Sequence, residues 1–322
     1  MRAWICEKWG GPRDLVLGDL PKPACPPGSI LVRAEAWGVN FADLVLIAGQ
    51  YQARPAFPFS PGMEVAGIVE EVGTDVRHAA PGDRVAAYVE YGGYAEFVAV
   101  PAANAALLPA SVPWPDAAAF PVSYGTAALA LERGQVSPGE TVLVGGAGGA
   151  VGSALTELSH RIGAHVIACA GSPEKAAIAR DRGADHVVSS RSADLLRTVR
   201  DLAPKGIDVA FDPVGGAFFQ VAFRALRYAG RLVTLGFASG ALPTCPVNHV
   251  LVRHIAVLGS SFGLTCHENP GRIAALWPPL VDQFAAGRIR PPVAGVSGFD
   301  SLPEALRRLA DREVGGKLVL SA

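Results

Sequence analysis

Residues 141–152 read Thr141-Val142-Leu143-Val144-Gly145-Gly146-Ala147-Gly148-Gly149-Ala150-Val151-Gly152. An apolar strand runs into a glycine loop, and the loop opens a helix. That arrangement brings backbone N–H groups and a helix N-terminus up to a phosphate. Gly146 allows the tight turn, Gly149 removes the Cβ that would block a pyrophosphate, and Gly152 permits close helix packing. The context supports the motif. Val151, Leu155, Leu158 and Ile162 follow at helical spacing, and Val166 to Ala170 supply the next apolar strand. The spacing predicts a dinucleotide-binding βαβ unit.

Working outward, the chain alternates strand and helix from about 123 to 262. Strands are expected at 141–144, 165–170, 186–188, 207–212, 231–235 and 255–260. Ser172-Pro173-Glu174-Lys175 reads as a helix start, with Ser172 as N-cap and Pro173 first in the helix. Gly183 and Gly206 read as helix stops. Such alternation implies an α/β fold with a doubly wound parallel sheet. Before residue 122 the texture differs. Short apolar runs lie between Gly10-Gly11-Pro12, Pro26-Pro27-Gly28, Pro61-Gly62, Pro81-Gly82-Asp83 and Gly92-Gly93, which suits a mostly β domain. After about 263 we expect a helix over 270–286, strands at 288–293 and 317–320, and a helix at 303–312. This tail is expected to rejoin the first domain.

Composition narrows the function. The chain has 322 residues, half of them hydrophobic, 18% charged, and a net charge of −1. Lys and Arg are scattered, with no footprint for nucleic acid. The five cysteines show no C-x-x-C spacing, which argues against a zinc cluster or disulfide framework and for a reducing, cytoplasmic setting. Cys169 and Cys245 read as packed or surface residues. The N-terminus lacks the apolar core of a signal peptide. No apolar run approaches the roughly 20 residues of a membrane span.

Further motifs lie in the first half: Gly38-Val39-Asn40-Phe41-Ala42-Asp43, Pro58 to Gly67 around Gly62-Met63-Glu64, Gly82-Asp83-Arg84-Val85, Gly92-Gly93-Tyr94-Ala95-Glu96, and Pro138-Gly139-Glu140. With the glycine loop, they resemble the medium-chain dehydrogenase/reductase superfamily, and within it the zinc-free quinone oxidoreductase (ζ-crystallin-like) branch. The resemblance is collinear over nearly the whole chain. It implies a GroES-like catalytic domain at 1–122 and 263–322, a Rossmann domain at 123–262, and a homodimer formed through the last Rossmann strand.

The resemblance also implies roles. Gly148, Gly149, Ala150 and Val151 would hold the pyrophosphate. Gly171, Ser172 and Lys175 would meet the adenosine ribose phosphate. Relatives often carry an aromatic residue or His where this chain has Ser190, so Arg191 takes that contact here. Leu235, Gly236, Phe237 and Ala238 would meet the nicotinamide ribose through their backbone, with Ser260, Ser261 and Phe262 near the carboxamide. Thr126 would pack on the ring. Asn40 and Tyr51 would face the nicotinamide, and Tyr124 is a further pocket candidate. Asn40 reads either as an amide donor or as a turn residue, and Tyr51 either as a phenol donor or as a half-buried aromatic.

Two departures decide the chemistry. Zinc members of the superfamily have Cys where this chain has Asn40 and His where it has Met63, and Asn and Met are poor zinc ligands. Glu64 then reads as a structural carboxylate. Without a Lewis acid, hydride delivery to an electrophilic acceptor is favoured over alcohol oxidation. The segment Ala168 to Ser172 carries no acid for a ribose 2′-OH, while Lys175 and Arg191 are near. That favours NADPH over NADH. The expected acceptor is a small hydrophobic quinone or α,β-unsaturated carbonyl, since Val45 and Ile47 make the entrance less polar than in many relatives. An enoyl-thioester reductase and a non-catalytic NADPH-binding, crystallin-like protein remain as alternatives.

Overall fold

The computed structural model describes residues 1–322, which divide into two units, Met1–Gly125 with Gly263–Ala322, and Thr126–Phe262. The first unit begins with a hairpin of β1 (Arg2–Ile5) and β2 (Val16–Asp19). There follow β3 (Ser29–Val39), α1 (Phe41–Ile47), β4 (Glu64–Val72), β5 (Arg84–Tyr88), β6 (Phe97–Pro101), β7 (Ala105–Leu107), α2 (Trp114–Ala118) and α3 (Pro121–Arg133). The change of unit falls inside α3, three residues past residue 122.

The second unit holds β8 (Thr141–Val144), α4 (Ala150–Ile162), β9 (His165–Ala170), α5 (Pro173–Asp181), β10 (His186–Ser189), α6 (Leu195–Leu202), β11 (Ile207–Asp212), α7 (Gly216–Ala225), β12 (Leu226–Thr234), α8 (Val247–Arg253) and β13 (Ala256–Gly259). Its six strands are all parallel, in the order β10-β9-β8-β11-β12-β13. This is the doubly wound order expected from the alternation. The sheet reverses direction of winding between β8 and β11, so the glycine loop after β8 sits at the switch point. Leu143, Ile167, Ala210 and Leu232 from the strands pack with Phe218, Phe219 and Phe223 of α7 in one buried cluster.

The tail forms α9 (Phe262–Glu268), α10 (Pro270–Ala285), β14 (Val293–Gly298), α11 (Leu302–Ala310) and β15 (Lys317–Ser321). It rejoins the first unit, whose sheet runs β14-β15-β3-β4-β5-β7 with β6 also on β3. Leu318 pairs with Val39, and Trp37 with Val65. The long β3 thus joins the N-terminal strands to the last strand of the chain.

Several elements differ from expectation. Of the strand expected at 288–293, only Val293 is in a strand. Pro291 and Pro292 have no N–H for a ladder, so the strand starts at Val293. Arg290 just before them is bonded to Asp116 at 2.9 Å. Gly206 does not stop α6, which ends at Leu202 ahead of Pro204. Its φ of +86° instead turns the chain into β11. Gly183 does follow the end of α5 with a φ of +86°. The short α9 has no counterpart in the sequence reading. No helix is long and apolar enough to cross a membrane.

The glycine loop is closed by its own backbone. Gly146 has a φ of +58°. A Cβ on Gly152 would stand 2.1 Å from the Gly146 carbonyl oxygen. The close approach at Gly152 is therefore to the loop, not only to the strand. Backbone cannot yield as a side chain can. Gly152→Ala should cost about 1–3 kcal/mol, read as a lowered thermal unfolding midpoint for the Rossmann unit. An unchanged midpoint would contradict this packing.

Candidate active site

In the Rossmann unit, Gly149 is the N-cap of α4. The only atom near a Cβ placed there is the Gly146 oxygen at 3.4 Å, so its outer side is open. The first N–H groups of any helix lack intrahelical partners. Ala150, Val151 and Gly152 present theirs at this end of α4. Gly148 lies against Lys175, since a Cβ on it would be 2.4 Å from the Lys175 Cβ. The loop and the start of α5 are thereby in contact.

At the end of β9, Ser172 caps α5, its hydroxyl accepting from the Lys175 N–H at 3.3 Å. Glu174 is the acid that could oppose a phosphate here. Its carboxylate is held below its usual range by the backbone N–H of its own position and then by the Ser172 hydroxyl. It serves its own helix start. Beside Gly171 stand Ser190 Oγ and Arg191 Nε, 3.4 and 3.9 Å from where a Cβ would be. Gly171, Ser172, Lys175, Ser190 and Arg191 therefore converge, with an open glycine, two hydroxyls and two cations. This fits a ribose carrying a 2′-phosphate.

Further along the sheet, the N–H groups of Leu235 and Ala238 donate to Asp212 and Pro213 carbonyls at 2.8 and 3.2 Å. The donors left to that loop are those of Gly236 and Phe237. Thr234 Oγ1 and Ser260 Oγ are buried at the ends of the adjacent strands β12 and β13 without a partner. Such hydroxyls call for a polar ligand. Ser261 is exposed and Phe262 buried. Asp212, which sequence reasoning missed, is fully buried at the end of β11. Its Oδ1 accepts from the Val214 and Gly215 N–H groups, each at 2.8 Å, and fixes the turn after the strand. Burial pushes its carboxyl up despite these bonds.

The GroES-like unit is organised by strand register. Leu318 opposite Val39 places Lys317 beside Asn40, and Val65 opposite Trp37 places Glu64 beside Gly38. Lys317 is 2% exposed and Glu64 fully buried, and they form an ion pair. Lys317 also donates to Asn40 Oδ1 at 2.5 Å. Asn40 Nδ2 donates to Glu64 Oε1 at 3.0 Å. The Val122 N–H donates to Glu64 Oε2 at 3.0 Å. Both ends of the Asn40 amide are thus engaged inside the unit. Below them, Asp43 accepts from the Asn40 N–H at 2.8 Å and from the Tyr94 hydroxyl at 2.5 Å. Burial pushes the Asp43 carboxyl up to about 7, against these two bonds and the nearby Lys317.

Zinc does not fit this donor set. Asn40 and Met63 stand at the positions the resemblance assigns to ligands, and the nearby carboxylate, Glu64, is neutralised by an ammonium. Tyr51 is half-buried, and burial pushes its phenol up. Tyr124 is fully buried and stacked on Phe120 at 5.3 Å, beside Phe284 and Trp277, so it serves the aromatic core. Thr126 is half-buried in α3. Ile47 is corrected by the structure. It is 1% exposed and packs in the core, so it sets no entrance polarity. Only Val45 remains partly exposed for that role.

Removing the ammonium leaves a buried carboxylate without a counter-charge. Lys317→Met should therefore cost about 3–5 kcal/mol of stability, and adding Glu64→Leu to it should recover a good part. Guanidinium unfolding of both variants checks this. A single variant as stable as the parent would refute the strut.

The comparisons agree with this geometry. Residues 26–110 match the alcohol dehydrogenase GroES-like domain family, and residues 150–278 the family described as zinc-binding dehydrogenase. The chain is 36% identical to quinone oxidoreductase-like protein 2 of Bos taurus, over 99% of this chain and 97% of that protein. Among solved structures, a mycobacterial protein complexed with NADPH aligns with a TM-score of 0.93 at 31% identity, over all of both chains. The quinone oxidoreductase of Thermus thermophilus, also solved with NADPH, aligns with a TM-score of 0.84 at 36% identity, again over all of both chains. The chain belongs to the medium-chain dehydrogenase/reductase superfamily, in its zinc-free quinone oxidoreductase branch, and is an oxidoreductase with a GroES-like and a Rossmann domain.

Proposed function

We propose that this protein is an NADPH-dependent, zinc-independent reductase of quinones or α,β-unsaturated carbonyls. The observation that carries the reading is the end of β9 and β10. There Ser190 and Arg191 stand over Gly171, Lys175 follows, and no free carboxylate competes for a ribose hydroxyl. The two relatives solved with NADPH support it.

NADPH, held by the glycine loop at Gly149 and by Ser172, Lys175 and Arg191, would supply the two electrons and hydrogen of a hydride, so that negative charge would develop on the acceptor oxygen. Tyr51 donates a hydrogen bond to this oxygen and stabilises it. Because burial raises its pKa, Tyr51 keeps its proton at neutral pH. Water or Tyr51 then delivers the proton that completes the reduction. Asn40 supports the site from behind, since Glu64 and Lys317 hold its amide. An uncharged acceptor suits this neutral donor better than an acyl-CoA.

The reading extends to a homodimer. Strand β13 ends the Rossmann sheet with one edge unpaired, and Val247, Leu251 and Val252 on α8 are each more than two-thirds exposed. An open edge flanked by apolar side chains favours pairing with a second copy. Val257→Lys on that edge should shift the mass seen by light scattering toward the monomer. A parent protein that is itself monomeric would refute the pairing.

The activity test is cofactor oxidation against 1,4-benzoquinone, 2-cyclohexen-1-one, crotonyl-CoA, and a primary alcohol with NADP⁺. Turnover of the first two is expected with NADPH over NADH. Arg191→Ala should raise the KM for NADPH about tenfold and leave that for NADH nearly unchanged. Equal use of NADH, or a preference for the alcohol, would overturn the assignment.

A further inference from the structure

Asp212 ends β11 fully buried. Its Oδ1 accepts from both the Val214 and the Gly215 N–H, while Oδ2 is buried without a partner. Burial pushes the carboxyl up, and those two N–H bonds oppose the shift. A charge-assisted bond is about twice as strong as a neutral one. A carboxylate therefore grips this turn more firmly than a hydroxyl or an amide would. The turn is one that few residues adopt, since Gly215 and Gly216 have φ of +72° and +54°.

A second segment is laid along the turn. The Leu235 N–H donates to the Asp212 carbonyl at 2.8 Å, that of Ala238 to Pro213 at 3.2 Å, and that of Ser239 to Val214 at 2.9 Å. The Gly216 N–H donates back to the Ala241 carbonyl at 3.0 Å. The packing is equally close. A Cβ on Gly215 would stand 2.9 Å from the Ala241 oxygen and 3.0 Å from Phe237 Cδ1. Residues 235–241 therefore take their position from the turn, and the turn takes its position from the carboxylate.

We propose that Asp212 is a positioning residue for the nicotinamide half of NADPH, acting through the turn to place the Gly236 and Phe237 N–H groups. This rests on the assignment of those two donors to the nicotinamide ribose. The effect is confined to one end of the cofactor. In the Rossmann sheet, Gly171, Ser172, Lys175, Ser190 and Arg191 follow β9 and β10, whereas Asp212 and residues 235–241 follow β11 and β12. The glycine loop after β8 lies between the two groups. A displaced turn leaves the contacts for the 2′-phosphate intact and misplaces only the donors beyond the switch point. Small misplacements matter there, because a shift of about 1 Å in an orienting group can cost about 100-fold in rate.

Calorimetric titration of the full chain with NADPH, and with adenosine 2′,5′-bisphosphate, which carries only the adenosine end, tests this. Asp212→Ala should weaken NADPH about tenfold and leave the bisphosphate unchanged. Asp212→Asn keeps an accepting Oδ1 and should recover most of the lost affinity. The rise in NADPH fluorescence on binding, which reports the surroundings of the nicotinamide ring, should shrink in Asp212→Ala and return in Asp212→Asn. Gly215→Ala keeps the carboxylate but presses on Phe237 and Ala241, so it should show the same selective loss, and it carries the test if Asp212→Ala does not fold. Equal weakening of both ligands would mean that Asp212 merely supports the fold. That result, no recovery in Asp212→Asn, or parent-like NADPH binding in Gly215→Ala would overturn the proposal. A parent chain that binds the two ligands equally, with no fluorescence change, would overturn the assignment of the Gly236 and Phe237 donors, and the proposal with it.

Discussion

An ammonium group shut away from water has to be balanced where it lies, and Lys317 imposes that constraint on the GroES-like unit. Its partner is Glu64, at the start of β4, and its second contact is Asn40, at the end of β3. The pair only meets because the last strand of the chain lies in register against β3. The ion pair therefore depends on the closure of the whole sheet, and errors in register would leave two charges buried and unmatched. Such pairs add little net stability compared with apolar packing, but breaking one is costly. Here the pair also decides the chemistry. A carboxylate already bound to an ammonium is unavailable as a metal ligand, and the amide between them is held in one orientation.

The two units solve their binding problems with different materials. The Rossmann unit relies on backbone. Its loop is closed by carbonyls and helix N–H groups, and even Asp212 acts by fixing a turn. Backbone donors suit a pyrophosphate, whose charge is fixed and whose shape does not vary. The GroES-like unit relies on side chains. Asn40, Asp43, Glu64, Tyr94 and Lys317 form one buried polar network, with Tyr51 and Tyr88 nearby. Side chains can differ between relatives without disturbing the sheet, which is where a choice of acceptor would be made.

Much of the Rossmann unit was legible in the sequence. Apolar runs bounded by glycines gave strands at 141–144 and 165–170 to the residue, because fully buried parallel strands have no polar face to blur their ends. Ser172 was legible because capping is a local matter. What escaped depends on distant pairing. Lys317 is simply the first residue of the strand expected at 317–320, and only the register with β3 turns it inward. Ile47 follows a helix periodicity that places it in the core, yet its place in the motif suggested an entrance. Asp212 is the exception. Its partners are the N–H groups of Val214 and Gly215, two and three residues on, and it reads simply as the polar end of an apolar strand.

The most direct test of the account is to dialyse the purified protein against a strong chelator, measure its bound zinc by mass spectrometry, and then measure NADPH-dependent reduction of 1,4-benzoquinone and 2-cyclohexen-1-one. We expect the metal-free protein to turn over at the rate of the untreated one. Activity that disappears with stoichiometric zinc and returns when zinc is restored would mean that the Lys317–Glu64 pair does not hold the site as described.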